Sequence, residues 1–266
     1  MKKVNYIQLV QEIGSGGTAS VFLGIDTYTG FPVAVKVLHK SLFKNEALKE
    51  KFREEANRYV YLNHPNIVKL EDYIEKEDAF YLIMEYVEGD NLEDYINKIS
   101  GPIPEEIATA MMKEILSAIH YAHQQKVVHL DIKPSNIMIT KEGDIKILDF
   151  GISADLNQEM SNRRMGTPMY MSPEQIYGRG VNHKTDIWAL GITYHQMLTA
   201  HLPFPKVISR DQLFTIIRTK PLKKIKDFIS WGSIGSQKII DKATRKNPAL
   251  RYSSCSEFSK DISGLS

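Results

Sequence analysis

Residues 129–151, HLDIKPSNIMITKEGDIKILDFG, contain the pattern that decides the interpretation of this chain. Asp131, Lys133 and Asn136 lie within six positions, and Asp149 opens an Asp-Phe-Gly triplet after a short apolar stretch. Asp131 is suited to accept the proton of a hydroxyl group. Asn136 and Asp149 offer the oxygen ligands that Mg²⁺ prefers. Together these side chains predict phosphoryl transfer, which requires a positioned acceptor and metal ions that neutralise phosphate charge.

Composition indicates an ordinary globular protein and excludes several classes. The 266 residues, 42% of them hydrophobic and 25% charged, can form a sizeable core. The 34 basic and 32 acidic residues give a net charge of +2, which does not favour nucleic-acid binding. Cys255 is the only cysteine, which favours a reducing compartment, and residues 1–12 lack the apolar stretch of a signal peptide. We therefore expect a cytoplasmic protein, or the cytosolic domain of a longer one, with no membrane span.

The apolar pattern divides the chain into a strand-rich part and a helical part. Strands are predicted at 7–13, 20–26, 33–38, 67–75 and 80–86, with one helix at 47–62. Later in the chain we predict helices at 104–123 and 186–199, and a hairpin of strands 137–140 and 145–148. The expected fold is α+β and bilobal. A small antiparallel β N-lobe with one helix (1–87) precedes a larger, mainly α-helical C-lobe (88–266), and the site lies in the cleft between them.

A glycine-rich stretch, GSGGTASV at 14–21, falls between the first two predicted strands. Gly14, Ser15, Gly16 and Gly17 would let backbone N–H groups approach phosphates, because glycine has no Cβ in the way. Taken alone, the stretch is equally compatible with a plain β-turn. The residues that follow it are needed to favour the phosphate-binding interpretation.

Lys36 ends the apolar strand segment Val-Ala-Val-Lys, where a charge is costly unless it is paired. Glu55 falls on the inward stripe of the predicted helix 47–62. The other members of that stripe are Leu48, Phe52, Tyr59 and Leu62. We therefore predict an ion pair between Lys36 and Glu55; the alternative is that Glu55 is a partly exposed edge residue.

The order of these motifs resembles the eukaryotic-like (Hanks-type) serine/threonine protein kinases, especially the bacterial ones. The matching segments are V-A-V-K, H-P-N-I-V at 64–68, H-x-D-x-K-x-x-N followed by D-F-G, G-T-x-x-Y-x-S-P-E at 166–174, and D-x-W-x-x-G at 186–191. The resemblance covers about residues 7–262. It implies ATP and Mg²⁺ (or Mn²⁺) as cofactors and serine or threonine hydroxyls of proteins as acceptors.

The resemblance also assigns roles to individual residues. It implies that Asp131 is the base, that Lys133 and Lys36 (held by Glu55) contact phosphate, and that Thr167 hydrogen-bonds Asp131 and Lys133. Asn136 and Asp149 would bind the metal. The adenine pocket would be formed by Ile13, Val21, Ala34, the gatekeeper Met84, the backbones of Glu85 and Val87, Met138 and Leu148.

Other positions are assigned structural roles by the same resemblance. His129 would pack against Phe150 instead of taking part in chemistry. Glu174 would pair with Arg251, and Asp186 would brace the backbone of the catalytic loop.

The chain departs from the family pattern at two places. Leu130 replaces the arginine of the common H-R-D motif, and in the family that arginine binds a phosphate on the activation loop, which corresponds here to residues 149–174. We therefore expect a non-RD kinase whose activity does not depend on phosphorylation of that loop. In the glycine-rich stretch, Thr18 replaces an aromatic residue and Ala19 a third glycine, from which we expect reduced loop freedom without loss of ATP.

Two other functions are compatible with the same fold. A pseudokinase that only binds ATP would lack Lys36, Asp131, Asn136 or Asp149, and all four are present. A small-molecule kinase would share the catalytic residues but lack the docking segment at 166–174. The basic stretch 220–226 is compatible with an acidic partner, although a solvated surface is the more common explanation.

Overall fold

The computed structural model describes residues 3–15, 19–39, 46–76, 79–150, 168–205 and 209–265. It has a small β lobe followed by a helical lobe, so the predicted α+β bilobal fold is confirmed. Within the described ranges, no helix combines the length and the apolar composition that a membrane crossing requires.

The first lobe is a six-stranded antiparallel sheet in the order β1-β2-β3-β4-β6-β5. Its strands are β1 (Lys3–Val4), β2 (Ile7–Ser15), β3 (Ala19–Asp26), β4 (Pro32–His39), β5 (Leu70–Glu75) and β6 (Ala79–Glu85). Alternation along β4 sorts its side chains: Val33, Val35 and Val37 are buried in one apolar cluster on one face. Ala34 and Lys36 therefore point to the opposite face, where the single helix α1 (Glu46–Val60) and the second lobe lie.

The second lobe is built mainly of helices. They are α2 (Leu92–Asp94), continued by a π-helical segment (Tyr95–Ser100), α3 (Glu105–Gln124), α4 (Pro173–Tyr177), α5 (His183–Thr199), α6 (Arg210–Thr219), α7 (Ile234–Ala243) and α8 (Cys255–Ser263). Short 3₁₀ turns occur at Pro134–Asn136, Pro168–Tyr170, Ile225–Asp227 and Pro248–Leu250. A three-stranded sheet of β7 (Gly89–Asn91), β8 (Ile137–Thr140) and β9 (Ile145–Ile147) lies beside the cleft. The strands β1 and β7 were not predicted from the sequence.

Helix α5 is buried from Thr185 to Thr199 and organises this lobe. It starts three residues earlier than predicted, because Asn182 caps it by accepting the Lys184 N–H. A Cβ at Gly191 would come within 2.9 Å of Ala243 on α7, so this position requires glycine for close packing of the two helices. The helix ends at Ala200, which adopts a left-handed conformation.

The two lobes are joined by backbone pairing in addition to their shared apolar core. Ile67 forms a parallel bridge with Ile147, and the Val68 N–H donates to the Ile147 carbonyl at 2.9 Å. This pairing explains why the predicted strand 67–75 is shortened to Leu70–Glu75. Its first residues pair with β9 of the second lobe instead of with their neighbours in the first sheet.

Candidate active site

The catalytic loop brings Lys133 and Asn136 within hydrogen-bonding distance of Asp131. Lys133 Nζ lies 2.8 Å from Asp131 Oδ2, and Asn136 Nδ2 donates to the same oxygen at 3.1 Å. Asn136 also donates to the Asp131 carbonyl at 2.9 Å, so its amide fixes both ends of that residue. The described residues give Asp131 Oδ1 no hydrogen-bond donor, so this oxygen can accept a proton from a hydroxyl group.

A buried carboxylate on α5 holds the backbone of this loop, as predicted. Asp186 accepts the His129 N–H at 2.9 Å and the Leu130 N–H at 2.8 Å. His123 donates from Nε2 to the same carboxylate at 2.7 Å, and its Nδ1 lies 3.8 Å from Cys255 Sγ. Asp186 is fully buried, and these three donors compensate the cost of removing its charge from water.

His129 has a structural role, which also agrees with the prediction. Its Nε2 donates to the Leu148 carbonyl at 2.8 Å, and its ring centroid is 4.7 Å from that of Phe150. Phe150 is buried and also contacts the ring of Tyr59 on α1, at 5.8 Å between centroids. The aromatic side chain after Asp149 thus packs between the catalytic loop and helix α1 and fixes where the Asp149 backbone lies.

Lys36 forms an ion pair with Asp149 in the part of the chain that the structure describes, whereas the sequence analysis predicted Glu55 as its partner. Nζ of Lys36 lies 2.8 Å from Asp149 Oδ1, and of the ion pairs between described residues this is the one that Lys36 makes. Glu55 is half-buried on α1. Burial would raise the pKa of Asp149, but the neighbouring Lys36 ammonium outweighs it and lowers that pKa below its ordinary value. Asp149 is therefore anionic at neutral pH.

The residues predicted to line a nucleotide pocket come from both lobes. Val21 faces Lys36 across β3 and β4, and Ala34 faces Met84 across β4 and β6. Ala34, Val87 and Leu148 pack on the apolar core at the cleft, whereas Met138 is half-buried on β8. The Glu85 N–H donates to the Lys69 carbonyl at 2.9 Å, so any adenine contact of Glu85 falls to its carbonyl.

The glycine-rich stretch is described only at its edges. Gly14 and Ser15 end β2, and Ile13 beside them is 45% exposed. Gly16, Gly17 and Thr18 lie outside the described residues, as does Thr167.

Asn136 and Asp149 fit a divalent hard metal ion. Because Nδ2 of Asn136 is directed to Asp131, its Oδ1 faces away from that residue, and Asp149 supplies an anionic oxygen. Within the described ranges there is no group of three or more His, Cys, Asp or Glu side chains that could hold a metal. Two protein oxygens are sufficient for Mg²⁺, which takes its remaining ligands from phosphates and water.

The docking segment is held by a buried ion pair, which confirms another prediction. Arg251 donates from both terminal nitrogens to Glu174, at 2.7 and 2.8 Å. Burial would raise the pKa of Glu174, but the hydrogen bonds and charge of Arg251 lower it overall. Thr185 adds a third hydrogen bond at 3.0 Å. The start of α4, which overlaps the end of the docking segment, is thus fixed to the core of the helical lobe.

One contact of the catalytic loop was missed by the sequence analysis. Gln175 Nε2 donates to the Leu130 carbonyl at 3.0 Å, although the two residues are 45 positions apart. The Ser-Pro-Glu-Gln order at 172–175 is a helix-capping pattern. That pattern could have indicated the cap on Ser172, but it contains no information about Leu130.

Comparison with known proteins agrees with this geometry. The model of the protein kinase domain family matches residues 7–261. The serine/threonine-protein kinase PrkC of Bacillus subtilis is 37% identical over 260 residues, which cover 96% of this chain and 40% of PrkC. The "Probable serine/threonine-protein kinase PknB" of Bifidobacterium longum is 35% identical, covering 96% and 39%. PksC of Streptomyces coelicolor, named a serine/threonine-protein kinase, is 38% identical, covering 74% and 38%.

The chain spans about two fifths of the length of these curated relatives. The similarity concerns the region of each relative that aligns with this chain.

Proposed function

Because this chain belongs to the protein kinase family, we propose that it is an ATP-dependent serine/threonine protein kinase. The observation that supports this most directly is the arrangement of Asp131, Lys133 and Asn136 around one carboxylate oxygen, with Asp131 Oδ1 left for a substrate. The names of the relatives support the same activity. We propose residues 1–266 as one catalytic domain, with lobes 1–87 and 88–266. Its use of ATP and its single free thiol, Cys255, favour the cytoplasm.

The proposed reaction transfers the γ-phosphoryl group of ATP to a serine or threonine hydroxyl. Asp131 accepts the hydroxyl proton through Oδ1 while the hydroxyl oxygen forms its bond to phosphorus. The bond between the γ-phosphorus and the β,γ-bridging oxygen breaks, and ADP leaves with that oxygen. Lys133, held 2.8 Å from Asp131, is placed to stabilise charge on the transferred group.

ATP binding is assigned to the cleft residues already described. Ile13, Val21, Ala34, Met84, Met138 and Leu148 would contact the adenine ring, together with the backbones of Glu85 and Val87. Gly14, Ser15, Gly16, Gly17 and Lys36 would contact phosphates, and Asn136 and Asp149 would hold Mg²⁺ or Mn²⁺. The metal, when bound, neutralises phosphate charge. We propose that Lys36 then exchanges Asp149 for phosphate and pairs with Glu55.

The proposed preference of the enzyme for serine and threonine acceptors is based on the presence of Lys133 and Thr167, which match the serine/threonine kinase pattern. We further propose that activity does not require phosphorylation of the activation loop. Leu130 is half-buried and has no group that can bind a phosphate. The order of the catalytic loop comes instead from Asp186 and the other side-chain contacts described above.

The test is transfer of labelled γ-phosphate from ATP to a generic protein substrate, followed by phospho-amino-acid analysis. We expect phosphoserine and phosphothreonine from the wild type and at least about a 100-fold lower rate from Asp131→Ala. Asp144→Ala removes an exposed carboxylate beside β9 and is the matched control, which should retain the wild-type rate. Full activity of Asp131→Ala, or predominant phosphotyrosine, would contradict the proposal.

A further inference from the structure

Leu130, the residue before the proposed base, has a strained backbone that is held from both sides. Its φ is +65°, in the left-handed region that non-glycine residues seldom adopt. Its N–H donates to Asp186 on α5, and its carbonyl accepts from Gln175 on α4. Both polar groups of one strained residue are thus fixed by side chains from different helices, which is how such a conformation persists.

The hydrogen bond to the Leu130 carbonyl acts directly on Asp131. That carbonyl belongs to the peptide unit linking Leu130 to Asp131, and a peptide unit is planar. Fixing the carbonyl therefore fixes the direction in which the Asp131 N–H points, which is toward His129 Nδ1 at 3.3 Å. The orientation of this peptide unit therefore helps to set the direction in which the Asp131 side chain, and with it the carboxylate, leaves the backbone.

Gln175 also contacts the end of the docking segment. Its Oε1 accepts the Ser172 N–H at 2.9 Å, and its own N–H donates to Ser172 Oγ at 3.3 Å. This capping box opens α4 directly after the Pro168–Tyr170 turn. One side-chain amide therefore spans two segments: its oxygen holds the docking segment and its nitrogen holds the catalytic loop.

We propose that Gln175 is a positioning residue that couples the docking segment to the catalytic loop through the Leu130 carbonyl. This inference rests on the proposed kinase function and concerns how the residues of that site are positioned. A neutral hydrogen bond to the backbone links the two segments in a chain whose Leu130 cannot bind a loop phosphate. The link does not depend on a group that is added or removed, such as a phosphate.

Two substitutions at this position separate the bridge from the helix cap. Gln175→Glu keeps the oxygen that accepts the Ser172 N–H but loses the donor to Leu130, and it places a carboxylate against a carbonyl. Gln175→Lys keeps a donor for Leu130 but loses the acceptor for Ser172. The matched control is Gln212→Glu on α6, where Gln212 and Ser209 form the same capping box away from the site.

The experiment measures kcat, KM for ATP and thermal unfolding of the four proteins. We expect Gln175→Glu to lower kcat about fivefold or more with KM for ATP within twofold. Gln175→Lys should retain at least half of the wild-type kcat, and Gln212→Glu should match the wild type in all three measurements.

Three results would overturn the inference. The first is a Gln175→Glu enzyme whose kcat stays within twofold of the wild type. The second is an equal loss of kcat and unfolding temperature in both Gln175 variants, which would make the residue a helix cap only. The third is a wild-type protein with no transferase activity, which would remove the proposed function itself.

Discussion

Lys36 Nζ lies 2.8 Å from Asp149 Oδ1, so strand β4 of the first lobe is paired with a residue of the second lobe that lies two positions after the end of β9. Both side chains are largely shielded from solvent, at 12% and 28% exposed. The two residues have separate proposed roles, contact with phosphate and binding of metal. The two residues to which these roles are proposed are therefore in direct contact.

The first prediction concerns this pair. Lys36→Met and Asp149→Ala should each lower the rate of phosphoryl transfer at least about 100-fold, because phosphate positioning and metal binding are separate requirements. The measurement is transfer of labelled phosphate to a generic protein substrate. Lys224→Met, which removes a lysine paired at 2.7 Å with Asp241 in the helical lobe, should retain the wild-type rate. If either cleft variant keeps most of its activity, the role of that residue is wrong.

The second prediction concerns the metal. Transfer should stop in excess chelator and return with Mg²⁺ or Mn²⁺, because phosphate charge must be neutralised. Asn136→Ala should raise the Mg²⁺ concentration needed for half-maximal rate by about tenfold. A metal titration of both proteins at saturating ATP measures this. Full wild-type activity in chelator would exclude the metal site.

The third prediction concerns the activation loop. Phosphatase-treated enzyme and Ser161→Ala should keep near-wild-type activity, since Leu130 offers a loop phosphate no charged partner. A charge-assisted contact would otherwise contribute about 1.5–3 kcal/mol, enough to shift a loop equilibrium about tenfold or more. Ser161 and two nearby arginines, Arg163 and Arg164, lie outside the described residues. A tenfold loss on dephosphorylation that autophosphorylation restores would show that the loop is switched in some other way.

The fourth prediction concerns the buried ion pair of Glu174 and Arg251. Arg251→Met should lower the free energy of unfolding by about 3–5 kcal/mol, because it leaves a buried carboxylate without its partner. Urea denaturation followed by circular dichroism measures the change. Lys242→Met breaks a half-exposed pair with Glu257 and should cost less than about 1 kcal/mol. Equal losses in the two variants would mean that burial does not decide the strength of these pairs.

The fifth prediction concerns pH. Burial lowers the pKa of His195 from its ordinary value of 6.5 to about 4. Between these values the unfolded chain binds a proton that the native protein does not, so stability falls as the pH drops through this window. The loss attributable to His195 should reach about 3 kcal/mol at pH 4. Urea denaturation between pH 7 and pH 4 should show a shallower decline for His195→Gln, and parallel curves would contradict the assignment.

Much of the fold could be predicted because strands and helices are determined largely by residues that are close together in the sequence. Strands β2 to β6 of the first sheet and helices α1, α3 and α5 follow from apolar periodicity, and their observed bounds lie within three residues of those predicted. Asp131, Lys133 and Asn136 converge because one short loop carries all three. The pairing of Glu174 with Arg251 was also anticipated, although only through the resemblance to a known family.

The sequence by itself determined which chemical groups this protein has and in what order. Only the tertiary structure decided which buried charges meet. Lys36 must be paired because its charge is removed from water, but Glu55 and Asp149 both satisfy that requirement, and the choice depends on how helix α1 and the second lobe lie against β4. The same holds for Gln175 and Leu130, since a hydrogen bond across 45 positions is fixed by packing of whole helices. Such contacts depend on distances in space, which local patterns do not contain.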